Sequence, residues 1–108
     1  MGSEKAFENK IKTYIKAVDG YVVKYHGNAY STNGTPDLLA CVNGYFLAIE
    51  VKAQGGHPSE LQLKKIEDIR KAGGLAFVVY PSGWLKLKSI IDGLAADTFN
   101  REREVELK

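Results

Sequence analysis

With 108 residues, 44% of them hydrophobic, the chain is long enough for one small domain whose apolar core needs no disulfide or zinc. Its single cysteine, Cys41, excludes an intramolecular disulfide and a cysteine-rich zinc site and is typical of a reducing cytoplasm. The sequence contains no apolar run of membrane-spanning length, and its opening, MGSEKAFENK, is too charged for a signal peptide. We therefore expect a cytosolic protein of one domain, residues 1–108. The net charge of +2 does not by itself indicate a nucleic-acid partner.

Residues 4–18 have the pattern of an amphipathic helix. Glu4 and Glu8 fall on the edge of its apolar stripe, while the lysines lie on the other side. Either both acids are present because the helix dipole favours them, or one of them reaches a functional site. The stripe consists of Phe7, Ile11, Tyr14, Ile15 and Val18.

Next come a predicted strand, Tyr21–Tyr25, and a polar loop of about ten residues, 26–35, which is longer than most connections and a candidate functional loop. In it, Tyr30 is interpreted as a loop residue rather than a catalyst. Gly34 either lets the backbone approach a ligand closely or only forms a turn.

Two apolar runs, Leu38–Val42 and Tyr45–Val51, flank Asn43-Gly44, a strong signal for a tight hairpin. Counting back from the turn pairs Val42 with Tyr45, Leu38 with Ile49 and finally Asp37 with Glu50. Strand alternation then puts Lys52 on the face of Glu50 and Val51 on the opposite face. The face of the two acids is otherwise apolar and includes Leu39 and Cys41, and we expect Cys41 to be a small buried side chain.

Asp37 and Glu50 are thus predicted to be neighbours. Two ionised carboxylates about 4 Å apart repel by roughly 4 kcal/mol at an effective dielectric constant near 20, so we expect a positive charge between them. A hard divalent cation suits such a pair better than zinc does. A metal on these acids, with Lys52 orienting a water or screening developing charge, indicates phosphodiester hydrolysis. The alternative is an ordinary surface hairpin with a Glu–Lys pair.

Ser59 opens a predicted helix that ends near Lys71, with Gln62 at the spacing of a capping box, which would explain the glutamine without any site. The basic residues of this helix either face phosphate or form a solvated surface. A continuous apolar run, Leu75–Tyr80, predicts a strand paired in parallel through the helical crossover. A last helix is expected over residues 84–96, and the charged tail, residues 101–108, is either a frayed helix end or a subunit contact.

Pro36-Asp37 and, 13 residues after that aspartate, Glu50-Val51-Lys52 resemble the signature of PD-(D/E)XK nucleases. The sequence GTPDL, the following AIEVK and the SxxQ of the next helix are similar to the VRR-NUC branch, the virus-type replication-repair nucleases. The resemblance implies an α/β, restriction-endonuclease-like fold with a central mixed sheet flanked by helices. It also implies DNA cleavage that depends on Mg²⁺ or Mn²⁺.

In that family's pattern, Asp37, Glu50 and the Val51 carbonyl would be metal ligands, and Lys52 the catalytic lysine. Glu8, with Glu4 as its rival, would contact the metal through water, and Gln62 would be an active-site glutamine. Members of this size resemble phage homodimers that act on branched DNA such as four-way junctions in the bacterial cytoplasm. The alternatives are a flap or duplex nickase, a catalytically silent nucleic-acid-binding module, and a protein-interaction domain with structural calcium.

Overall fold

A computed structural model describes residues 3–27 and 34–97. The predicted helices and strands are all present, within about two residues of their expected ends. The interpretation of Tyr30, most of the polar loop and the charged tail lie outside the described residues. No helix in the described ranges is both long and apolar enough to cross a membrane. The elements are α1 (Ser3–Ala17), β1 (Tyr21–Lys24), β2 (Leu38–Val42), β3 (Tyr45–Val51), α2 (Glu60–Lys71), β4 (Leu75–Val79) and, after a short 3₁₀ turn at Pro81–Gly83, α3 (Trp84–Ala96).

The strands form one mixed sheet in the order β1-β2-β3-β4. β1, β2 and β3 are antiparallel neighbours, whereas β4 pairs with β3 in parallel after the α2 crossover. Asn43 and Gly44 have φ angles of 51° and 89°, as a tight hairpin turn between right-twisted strands requires. The pairing predicted from this turn is confirmed from Val42 with Tyr45 back to Leu38 with Ile49.

The two faces of the sheet are covered differently. One face, with Leu47, Ile49 and Val51 of β3, is buried against α1 and α3 in the main core. On the other face, Ala48 and Ala76 pack against Ile66 of α2 in a smaller cluster. This is the division of β3 between two layers that strand alternation predicts.

The expectation that Cys41 is buried is wrong, because its side chain is exposed. α2 packs mainly over β4 and β3, so this face of the sheet is covered less completely toward β1. Tyr21 and Phe46, on that face, are 70% and 44% exposed. Alternation determines which face a strand residue occupies, but not how far the covering helix reaches.

Candidate active site

Side chains from five segments meet at the end of the sheet that lies away from the Asn43-Gly44 turn. They are one glutamate of α1, the last residue of β1, the aspartate before β2, the end of β3 with the residue after it, and the first turn of α2. Two acids of this group are almost completely buried, Glu8 at 4% and Glu50 at 3% exposure. The residues of the group are Glu8, Lys24, Asp37, Glu50, Val51, Lys52 and Gln62.

Asp37 lies one residue before β2 and is held by contacts to both neighbouring strands. Its backbone carbonyl accepts a hydrogen bond from the Tyr25 N–H at 2.7 Å, and its carboxylate Oδ2 accepts one from the Val51 N–H at 2.9 Å. The backbone pairing of β2 with β3 ends at Leu38 and Ile49. Beyond that pair, the Asp37 side chain instead of its backbone accepts the hydrogen bond from β3. The Asp37 carboxylate is therefore fixed beside the Val51 peptide.

Glu50 points into the same space from the end of β3. Its Oε2 accepts a hydrogen bond from Gln62 Nε2 at 2.8 Å and lies 3.5 Å from Lys52 Nζ. Burial and the nearby charge of Asp37 raise the pKa of Glu50 from 4.5 to about 7, although Lys52 acts in the opposite direction. The two acids are thus close enough to repel each other, which confirms the neighbourhood predicted from the hairpin.

Gln62 contributes to both the helix cap and the site. Its Oε1 accepts a hydrogen bond from the Ser59 N–H at 2.8 Å, and its own N–H donates to Ser59 Oγ at 3.1 Å, which completes the predicted capping box. Because the capping box uses only the side-chain oxygen, the amide nitrogen remains available to Glu50. The two roles considered for Gln62 are therefore compatible.

Lys24 is the residue of this site that the sequence analysis missed. Its Nζ lies 2.7 Å from Glu8 Oε1 and 3.4 Å from Asp37 Oδ1. Burial alone lowers the pKa of Lys24, but the hydrogen bond to Glu8 and the charges of both acids outweigh it, so the pKa is raised and the group stays charged. A signal was present in the sequence: alternation places Lys24 on the face of the buried Val22, toward α1, where a lysine needs a partner.

Glu8, and not Glu4, is the acid of α1 that reaches the site. Glu4 is exposed, whereas Glu8 is buried and bound to Lys24. The second carboxylate oxygen of Glu8, Oε2, has Lys12 at 3.8 Å but no hydrogen-bond partner within the described ranges. Buried carboxylate oxygens are normally hydrogen-bonded, so this oxygen has capacity for a further ligand such as water.

Gly34 brings the segment before Asp37 against the start of α2. Its φ is +82°, and a Cβ at this position would lie 2.8 Å from the Leu61 carbonyl oxygen. The close backbone approach considered for Gly34 is therefore made to the helix, in a conformation that residues with a side chain rarely adopt. The contact couples the position of Asp37 to the helix that carries Gln62.

Two of the basic residues of α2 have partners within the chain. Lys64 Nζ lies 2.8 Å from Asp68 Oδ1. Arg70 Nε donates to the Ala76 carbonyl at 2.7 Å, and its guanidinium lies 5.0 Å from the centre of the Phe77 ring. A phosphate-binding role for the helix stays a prediction.

The available ligand atoms suit a hard divalent cation that takes only a few of its ligands from the protein. In the parts of the chain that the structure describes, no three His, Cys, Asp or Glu side chains are grouped so as to hold a metal by themselves. Asp37 and Glu50 nevertheless offer two carboxylates, and Glu50 Oε1 is buried without a hydrogen-bond partner. Mg²⁺ and Mn²⁺ accept such sets, because they are commonly held by one or two carboxylates plus water and substrate phosphate. The arrangement contains none of the His or Cys ligands that zinc prefers.

Comparison with known proteins supports the fold. No protein-family model matches the sequence, and no curated protein matches it. Among solved structures, the chain is similar to Hjc of Archaeoglobus fulgidus, a Holliday junction resolvase from an archaeal hyperthermophile, with a TM-score of 0.55 and 22% sequence identity. The similarity covers 70% of this chain and 66% of that one, so the match spans slightly less than two thirds of the resolvase. The predicted α/β, restriction-endonuclease-like fold, a mixed sheet flanked by helices, is confirmed.

Proposed function

We propose that this protein is a metal-dependent, structure-selective DNA endonuclease of the PD-(D/E)XK class and its VRR-NUC branch, and that it resolves four-way junctions. One observation carries the proposal. Asp37, Glu50 and Lys52 meet at one end of the sheet, with a buried Glu50 oxygen that lacks a hydrogen-bond partner among the described residues. An ordinary surface hairpin does not explain why two acids are held together at the cost of the raised pKa of Glu50.

In this function, Asp37, Glu50 and the Val51 carbonyl would hold one Mg²⁺ or Mn²⁺ ion, with Glu8 contributing through water. The ion would polarise the scissile phosphate and acidify a bound water. Lys52, whose Nζ lies 3.5 Å from Glu50 Oε2, would orient the water or stabilise negative charge on the phosphate. Gln62 keeps Glu50 in position through its amide nitrogen.

The choice of branched DNA is supported by the similarity in fold to a Holliday junction resolvase. We propose a single nuclease domain, residues 1–108, that acts as a homodimer, because twofold symmetry presents two equivalent sites to two strands. Contacts between the basic helices and phosphates would be sensitive to salt and largely insensitive to base sequence. The proposed location is the cytoplasm of a bacterium or of a phage-infected host.

The test compares labelled four-way junction, flap and linear duplex DNA of matched sequence, each with Mg²⁺, with Mn²⁺ or with EDTA. We expect junction cleavage that requires metal and falls at least about a hundredfold in Asp37→Asn, while junction binding without metal is retained. Asp68→Asn is the matched control, since this aspartate pairs with Lys64 on the exposed face of α2.

The other outcomes separate the rival functions. Equal cleavage of flap or duplex DNA would indicate a nickase. Junction binding without turnover, unchanged by Asp37→Asn, would indicate a catalytically silent module and refute the enzymatic proposal.

A further inference from the structure

We propose that the Lys24 ammonium group is a built-in cation that takes the place of a second metal ion between Glu8 and Asp37. The site would then hold one divalent ion in each protomer. This inference rests on the proposed function and adds to it the number of ions and a role for a residue that the nuclease signature does not contain.

The ammonium group of Lys24 lies between two carboxylates. Lys24 Nζ is 2.7 Å from Glu8 Oε1 and 3.4 Å from Asp37 Oδ1, so it bridges an acid of α1 and the acid before β2. Two carboxylates facing the same point are what a divalent ion requires. A metal bonded to both of these oxygens would compete with the ammonium group for them and would bring a second positive charge close to it.

Both carboxylate oxygens of Asp37 already have partners. The Lys24 ammonium contacts Asp37 Oδ1, and the Val51 N–H donates to Oδ2. In contrast, Glu50 Oε1 is buried without a hydrogen-bond partner in residues 3–27 and 34–97. Glu8 Oε2 also lacks a hydrogen-bond partner there, but Lys12 Nζ already lies 3.8 Å from it. The metal is therefore assigned to the Glu50 side of Asp37, away from Lys24.

The charges of the site also favour a single ion. Three carboxylates, those of Glu8, Asp37 and Glu50, are paired with the ammonium groups of Lys12, Lys24 and Lys52, so this set is close to neutral without a metal. One divalent ion adds positive charge that a bound phosphate offsets in part. Two divalent ions beside these lysines would leave a large uncompensated positive charge in a partly buried space, which is costly.

The test measures the stoichiometry of Mn²⁺ binding by calorimetry and by the spin-resonance signal of free Mn²⁺, without DNA. We expect one ion per wild-type protomer and two in Lys24→Met, whose side chain has similar length and no charge. Adding Glu8→Gln to Lys24→Met should return the count to one. Lys12→Met is the matched control: Lys12 also approaches Glu8, at 3.8 Å, and its side chain is 27% exposed, like that of Lys24. It should bind one ion.

Each outcome has a defined meaning. Two ions in the wild type, or one ion in a folded Lys24→Met, would overturn this inference and leave the proposed nuclease function intact. No bound Mn²⁺ in the wild type would overturn this inference, and cleavage of the junction with Mn²⁺ and with EDTA would then decide the metal-dependent function separately. Since Lys24→Met removes the hydrogen bond to the buried Glu8 Oε1, Lys24→Gln serves as a second variant with the same expected count of two. If neither variant folds, the wild-type count decides.

Discussion

Glu50→Gln is expected to make the metal-free protein more stable at pH 8 while removing its response to metal. In the folded protein, burial and the charge of Asp37 raise the pKa of Glu50 from 4.5 to about 7. The folded state therefore binds this proton more tightly than the unfolded state does. Consequently the free energy of unfolding falls as the pH rises from about 4.5 to about 7. Above that range the whole loss of stability caused by the ionised Glu50 is present.

The size of the effect follows from the difference in pKa. A pKa difference of this size corresponds to roughly 3 kcal/mol, at about 1.4 kcal/mol for each tenfold change in proton affinity. Water reaches the rim of the site, where the Asp37 side chain is 29% exposed, so we expect about 2 kcal/mol to remain. Glutamine retains an oxygen to accept from Gln62 and Lys52 but carries no charge. The midpoint of thermal unfolding should therefore rise by roughly 8 °C in EDTA at pH 8.

The assay is thermal and urea unfolding of both proteins from pH 5 to pH 8, in EDTA and in Mn²⁺. In EDTA the two stability curves should converge near pH 5 and separate toward pH 8. In Mn²⁺ the order should reverse, because an ion at a hundred times its dissociation constant stabilises the wild type by about 2.7 kcal/mol and the variant has lost a ligand.

A Glu50→Gln protein that is less stable than the wild type in EDTA at pH 8 would refute this reasoning, as would parallel curves from pH 5 to pH 8. Asp68→Asn is the control, because folding lowers the pKa of Asp68 whereas it raises the pKa of Glu50. The hydrogen bond from Lys64 lowers the pKa of Asp68, so its contribution is present at neutral pH and is lost only in acid. Removing this exposed carboxylate should not stabilise the protein at pH 8.

Four further variants test individual contacts. Ser59→Ala should lower the free energy of unfolding by about 1 kcal/mol and leave junction cleavage within about twofold, because it removes a cap contact only. Gln62→Ala should cost similar stability but reduce single-turnover cleavage at least about tenfold; equal cleavage by both variants would limit the glutamine to capping. Gly34→Ala should cost about 2 kcal/mol or more in urea unfolding, because it places a Cβ against Leu61 at positive φ; wild-type stability would contradict this. Lys52→Met should keep Mn²⁺ binding and lose cleavage at least about a hundredfold; loss of Mn²⁺ binding would instead indicate that the lysine maintains the metal site.

The hairpin shows how much of this site was predictable. Asn43-Gly44 forms a turn with two positive φ angles. Counting outward from this turn gives each pair of residues between β2 and β3. The neighbourhood of Asp37 and Glu50 could therefore be predicted across 13 residues of sequence. The capping box at Ser59 was predictable for the same reason, because its partners are separated by only one helical turn.

Sequence alone thus determined the elements, their order, the hairpin register and the pair of acids, since hydrogen bonding and side-chain periodicity within short segments decide these features. Only the tertiary structure decided that Lys24 bridges Glu8 and Asp37, that Gln62 serves its cap and Glu50 together, and that Cys41 is exposed. These outcomes depend on how α1 and α2 are positioned over the sheet. Packing sets that position through contacts between residues far apart in the chain, and no local pattern encodes those contacts.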